Sequence, residues 1–329
     1  MGREATGLSH KARVGTPSVK DAMLLLLRLV IAVVSMVVAY GLGTMVMGDT
    51  SVPLTPQEAG QAGTALVTVA TASALVLSFL VLRSTLRGVR LMGALMLVHF
   101  GVETFMTQIE TLYFNNAVQM GSEMLLGIIA AGAVRALVFA PVAVILFGKV
   151  KPLGQPPVPG RPRAACRLWP CLLALGTLYA MIYFGFGYFV AWQWEDVRLY
   201  YSGTAAMKPF LAHFRDLFLS DNPSIVPFQL LRGVLWTGLA LLVVRMARLK
   251  RWKAALTVGS AFVVLVALPL RLFPNPYMPP TVRQAHFCEI LFSMLFYGGV
   301  AGWILHGPAE ADCSTGPVAG ASDTSVRDV

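Results

Sequence analysis

Apolar residues gather in eight long runs, near positions 22–47, 63–82, 91–113, 122–147, 171–194, 225–246, 254–273 and 283–306. Polar, basic and proline residues are confined largely to the stretches between them. A helix rising about 1.5 Å per residue needs about 20 residues to cross a hydrocarbon layer ~30 Å thick, and each run supplies that length. The pattern predicts an all-α, polytopic membrane protein with eight transmembrane helices. The first run follows a basic tail and is too long for a signal-peptide core, so it reads as a retained helix. Lys149 to Arg167 contains Pro152, Pro156, Pro157, Pro159 and Pro162 and reads as a linker between two halves.

Basic residues sort by side. Eighteen of the 26 Lys and Arg fall in the amino-terminal tail, the second, fourth and sixth loops and the carboxy-terminal tail. Five lie on the other side (Arg198, Lys208, Arg215, Arg271 and Arg283), and three, Arg28, Arg135 and Arg232, lie inside apolar runs. The positive-inside rule then puts both termini in the cytoplasm, with the chain in the plasma (inner) membrane, and eight crossings is the even number that fits.

One pattern occurs twice in the same order. Tyr40-Gly41-Leu42-Gly43 returns 144 residues later as Phe184-Gly185-Phe186-Gly187. The segment from Arg87 to Leu95 returns 161 residues later as Arg248 to Leu256, and Ile145-Leu146-Phe147-Gly148 returns 159 residues later as Ile304-Leu305-His306-Gly307. The matches predict two parallel four-helix repeats, at 22–148 and 171–307, related by an axis along the membrane normal because each half crosses an even number of times. A basic tail (1–21), the Pro-rich linker (149–170) and a disordered tail (308–329) complete the chain. The step from 144 to 161 places an insertion in the fifth loop, where Phe210, Phe214, Leu217 and Phe218 recur at helical spacing. An amphipathic segment at 205–219 is expected there, either resting on the bilayer or acting as a lid over an outward-facing cavity.

With 56% apolar and only 13% charged residues the composition is that of an integral membrane protein, since soluble domains carry about a quarter charged residues. A net charge of +10 would point to nucleic acid in a soluble protein. Here the basic residues sit between apolar runs and report topology, and attraction to anionic lipid headgroups is a compatible role. No nucleic-acid partner is expected. Cys166, Cys171, Cys288 and Cys313 form neither a C-x-x-C pair nor a framework on one side, so no disulfide, metal or cofactor is expected.

Ionisable groups inside apolar runs carry the candidate chemistry, because each costs about 2.5–3.5 kcal/mol even on the lenient insertion scale. Arg28 is close enough to the cytoplasmic end to snorkel. The candidate intramembrane polar site is His99, Glu103, Glu110, Arg135, Arg232, His286 and Glu289. On a straight helix His99, Glu103 and Glu110 lie within about 40° of one another. His286, Glu289, Ser293 and Tyr297 form a second stripe on the eighth helix, and Gln229, Arg232 and Trp236 share a face of the sixth. Counted from the outer ends, Glu289 lies roughly 9 Å down, Arg232 roughly 10 Å and Glu103 roughly 12–15 Å, which puts the three at one level. His99 and His286 differ by about 15 Å in depth, which disfavours a shared haem or His₂Glu₂ metal site. The cluster reads either as an interhelical ion-pair network that fixes packing or as a carboxylate site reached from outside that binds a proton or cation. Phe273 to Pro280 makes a stiff outer turn before the eighth helix.

No H-E-x-x-H, Walker loop or haem-attachment motif is present, and no catalytic residue is assigned. Three functions remain open: a transporter or permease-like protein, a non-catalytic membrane component or sensor, and a membrane enzyme acting on a lipid or lipid-linked substrate with His286 and Glu289 as acid and base. The expected partners are the lipid bilayer and a small solute, proton or lipid substrate.

Overall fold

Segments this apolar satisfy their backbone N–H and C=O groups most readily within themselves, and they fold as helices. A computed structural model describes residues 18–47, 56–151, 165–247 and 249–306, all-helical apart from one isolated bridge. The first five helices are α1 (Val19–Met47), α2 (Pro56–Arg83), α3 (Gly88–Tyr113), α4 (Ser122–Leu146) and α5 (Leu168–Ala191). Two short helices, α6 (Glu195–Ser202) and α7 (Phe210–Asp216), precede α8 (Ile225–Met246), α9 (Arg251–Leu272) and α10 (Pro280–Leu305). All but α6 and α7 are long and apolar enough to cross a membrane, eight in total among the described residues. The tail at 1–17, most of the Pro-rich linker, Arg248 and the tail from Gly307 lie outside the described residues.

Helix ends follow local chemistry. Past α4 the chain closes in a Schellman motif: Lys149 N–H donates to Val144 O at 2.9 Å and Gly148 N–H to Ile145 O at 3.0 Å. Gly148 has φ +67°, which a residue without Cβ adopts at little cost. Three of the long helices are interrupted by π turns, at Gly101–Phe105 in α3, Gly187–Ala191 in α5 and Val263–Ala267 in α9. Each π turn adds one residue to a turn, which rotates everything after it by about 100° relative to a straight α-helix.

Within the first half α1 packs on α2 and α4, and α3 on α4. Within the second, α5 packs on α8 and α10, and α9 on α10. The halves meet where α2 touches α8 and α9 and where α3 touches α8, and the π turns of α3 and α9 also touch. At the end of the bundle rich in Lys and Arg, the loop after α2 meets the loop after α8. Ser84 and Ala247 form an antiparallel bridge there, and Thr85 N–H donates to Met246 O at 2.8 Å.

Small residues allow the closest approaches, as in helix packing inside membranes. A Cβ added to Gly233 of α8 would lie 2.3 Å from Gly176 O of α5, and one added to Gly298 of α10 would lie 2.7 Å from Gly259 Cα of α9. Gly298→Ala is therefore expected to destabilise the protein by about 1–3 kcal/mol, the range for overpacking. Gly299→Ala, with nothing within 4 Å of the added methyl, should have little effect. Comparison of the two thermal midpoints in one detergent checks this, and equal midpoints would remove the packing argument.

At the opposite end from the basic loops, α6, α7 and the π turn Leu217–Asp221 form a crown. Arg198 fixes it: its Nε donates to Ala205 O at 2.8 Å and its Nη1 to Trp192 O at 2.8 Å and Gln193 O at 3.0 Å. In the segment expected to be amphipathic, Phe210 and Phe214 pack on Tyr188, and Phe214 and Phe218 on Phe184, while Leu211 and Leu219 are exposed. Asp216 accepts from Lys208 and Arg215: the Lys208 ammonium is held above its usual range by the Asp216 carboxylate, and Asp216 below its own by the two cations. Partial burial, and then the Lys208 charge, push the His213 imidazole down.

Candidate functional site

The seven candidate residues separate into two polar systems. The first lies within the first half, between α1, α3 and α4, and centres on Glu103 in the π turn of α3. One carboxylate oxygen accepts from Tyr40 OH at 2.7 Å and lies 3.3 Å from Arg135 Nε; the other lies 2.8 Å from His99 Nε2. Arg135 also donates to Thr104 Oγ1 at 3.3 Å, and its guanidinium sits 4.8 Å from the centre of the Tyr40 ring. His99 is placed by helical geometry, four residues before Glu103, and its ring meets Phe139 edge-on at 6.1 Å. The carboxylate thus has partners on both oxygens and a guanidinium beside it.

The second system lies toward the crown. Arg232 of α8 clamps Glu110 of α3 with two parallel bonds, Nη1 to Oε1 at 2.8 Å and Nη2 to Oε2 at 2.7 Å. The same guanidinium donates to Gln229 Oε1 at 3.0 Å and to Met106 O at 3.2 Å. Three rings surround it, Tyr179, Tyr183 and Phe228, with centres 5.7–5.9 Å from its carbon. On α10, Glu289 Oε2 lies 2.8 Å from His286 Nδ1, and His286 Nε2 lies 3.1 Å from the hydroxyl of Tyr201 on α6. Tyr201 bonds His286 and lies in the field of the Glu110 carboxylate. Burial, then the Glu110 carboxylate, Tyr200 and the Glu289 carboxylate, push its phenol well above the usual range, so it stays protonated. Tyr183 lies in the fields of the same two carboxylates and of Arg232.

The two systems differ in what they can do. Glu103 and Glu289 are the buried carboxylates among the described residues. Glu103 has an arginine; Glu289 has only an imidazole. The Glu289 carboxylate and the His286 imidazole are joined by one hydrogen bond, and at 9% and 19% side-chain exposure the pair sits at the edge of the protein interior. Among the described residues no three of His, Cys, Asp and Glu come together so as to hold a metal ion.

No protein-family model, curated protein or solved structure matches the chain. Its site is therefore read from geometry alone. Glu103 shares no hydrogen bond or ion pair with Arg232 or Glu289, although the three were expected at one level; Arg232 takes Glu110 instead. The within-helix pairs His99–Glu103 and His286–Glu289 follow from i, i+4 and i, i+3 spacing. Tyr40 and Tyr201 carried no signal of their roles: the first stood out only as part of the repeated Tyr-Gly-Leu-Gly pattern, and the second lies between the fifth and sixth apolar runs.

Proposed function

We propose that the protein is a transporter or permease-like membrane protein in which two parallel four-helix halves, α1–α4 and α5 with α8–α10, meet around a polar site facing the crown. The observation that carries this reading is the Glu110–Arg232 clamp. It joins the third helix of one half to the second long helix of the other, beside the proton-sharing Glu289–His286–Tyr201 chain. An ion pair between two rigid halves, next to a group that gains and loses a proton, lets occupancy of the site bias how the halves pack.

Three features support the duplication. The third helix of each half contains a π turn, starting at residues 101 and 263, 162 positions apart, and the two turns touch. Thr85 and Met246 face each other across the antiparallel bridge with a separation of 161, equal to the offset of the repeated arginine segment. A two-fold axis passing between equivalent loops produces such a meeting. The helix contacts also pair off: α1–α2, α3–α4 and α1–α4 correspond to α5–α8, α9–α10 and α5–α10, and across the junction α2–α9 corresponds to α3–α8. In the proposed orientation the basic end and both termini are cytoplasmic, and the crown faces outward from the plasma (inner) membrane.

The test is flux. Purified protein in vesicles loaded with a pH-sensitive dye is expected to dissipate an imposed pH gradient faster than protein-free vesicles, and Glu289→Gln to lose the increment. Wild-type vesicles no faster than empty ones, across a panel of added small solutes, would remove the transport reading. A second reading, a non-catalytic component held together by structural charges, is favoured by the fully partnered Glu103; its signature is a stoichiometric partner that co-purifies.

A further inference from the structure

We propose that the cleft between α2 and α9 at the crown end binds a phosphate group, held by the Arg271 guanidinium and the Gln61 amide. The cleft has a volume of about 570 Å³ and is lined by Gln61, Thr64 and Thr68 of α2 and by Arg271 and Leu272 of α9, with small residues of α2 between them. It lies apart from Glu110, Arg232 and Glu289 and requires nothing of the transport reading.

The charges of the crown end point to an anion. Lys208 and Arg215 pair with Asp216, Arg232 is clamped by Glu110, and Arg198 is committed to three backbone carbonyls. Arg271 and Arg283 are the cations left over. Neither has a carboxylate among the described residues, and Arg283 lies in the field of Arg271. The Nη1 of Arg283 donates to Phe273 O, while its Nε is buried without a partner. Arg271 lines the cleft with Arg283 in its field, so an anion at Arg271 relieves the repulsion between them, and a guanidinium matches the fork geometry of phosphate oxygens.

The rest of the lining defines the ligand further. Thr64 and Thr68 donate their hydroxyl protons to their own helix, to Gly60 O at 3.3 Å and Thr64 O at 2.8 Å. Their oxygens therefore accept rather than donate, which leaves Arg271 and Gln61 as the donors for phosphate and suits the threonines to a hydroxyl on the ligand. From Gln61 to Thr68 the polar strip runs about 10 Å along α2. A lipid headgroup and a free phosphate share the chemistry.

The two sources are separated by native mass spectrometry and thermal unfolding of delipidated protein in detergent. Phosphatidylglycerol is expected to bind as one retained equivalent, diacylglycerol without phosphate not to be retained, and both Arg271→Gln and Gln61→Leu to bind phosphatidylglycerol about tenfold more weakly than wild type. If the source is free phosphate, millimolar inorganic phosphate raises the wild-type midpoint and not that of Arg271→Gln, with no lipid retained. Arg271 is exposed, so Arg271→Gln is expected to unfold at the wild-type midpoint without ligand. Phosphatidylglycerol retained no better than diacylglycerol together with no response to phosphate, or both variants behaving as wild type with each probe, would overturn the proposal.

Discussion

Replacing Glu110 with leucine is expected to destabilise the protein by about 3–5 kcal/mol, because it leaves a buried guanidinium without its counterion. The effect should be unequal across the pair. Arg232 has 2% side-chain exposure and Glu110 has 31%, so after Arg232→Met the remaining carboxylate reaches solvent, whereas after Glu110→Leu the remaining cation does not. Arg232→Met also strips a donor from Gln229 Oε1 and from Met106 O, which adds about 1–3 kcal/mol for each polar group left buried and unpaired. The double variant Glu110→Leu/Arg232→Met removes both charges and should recover part of the loss of Glu110→Leu alone, since a buried ion pair replaced by apolar residues is often close to neutral. Unfolding of the three variants in one micelle or bicelle system measures the pattern. A double variant that is no more stable than Glu110→Leu would show that the clamp is not the interaction that matters there.

Glu103→Leu should have an effect of similar size for a different reason. It strands Arg135 and the nearly inaccessible His99 inside one half instead of loosening the contact between halves, and a broken buried pair typically costs about 3–5 kcal/mol. Tyr40→Phe removes one hydrogen bond to the same carboxylate and should cost about 1.5–3 kcal/mol, the range for a bond to a charged group. A Glu103→Leu protein as stable as wild type, or a Tyr40→Phe protein less stable than the Glu103→Leu protein, would contradict the assignment of this cluster to packing.

The eight apolar runs were legible because crossing length and backbone satisfaction leave a chain of this composition little choice but helices. Their ends were less so. α3 starts at Gly88 and the fifth helix at Ala165, ahead of the apolar runs, because Arg90, Trp169 and Pro170 are accommodated in exposed helix outside them. In the site, the pairs set by helical spacing could be read directly and the contacts between helices could not. The stripe His99, Glu103, Glu110 illustrates why. A straight helix puts all three on one face, but the π turn at Gly101–Phe105 turns Glu110 away from His99, so Glu103 faces Tyr40 and Arg135 while Glu110 faces Arg232. No residue pattern in that stretch announces a π turn. Arg135 and Glu103 were both on the candidate list; Tyr201 above His286 was not, since it arrives on the crown from a distant part of the chain.

On the proposed function labour is divided: the Glu103 cluster holds one half together, and the Glu289 chain beside the Glu110–Arg232 clamp carries the flux. One experiment addresses both parts, gradient dissipation per folded molecule in vesicles carrying wild type, Glu103→Gln or Glu289→Gln, with the unfolding midpoint of each. The account predicts that Glu103→Gln lowers the midpoint and keeps the wild-type rate, while Glu289→Gln loses the rate and shifts the midpoint less. Loss of rate in Glu103→Gln with the wild-type rate retained in Glu289→Gln would contradict it.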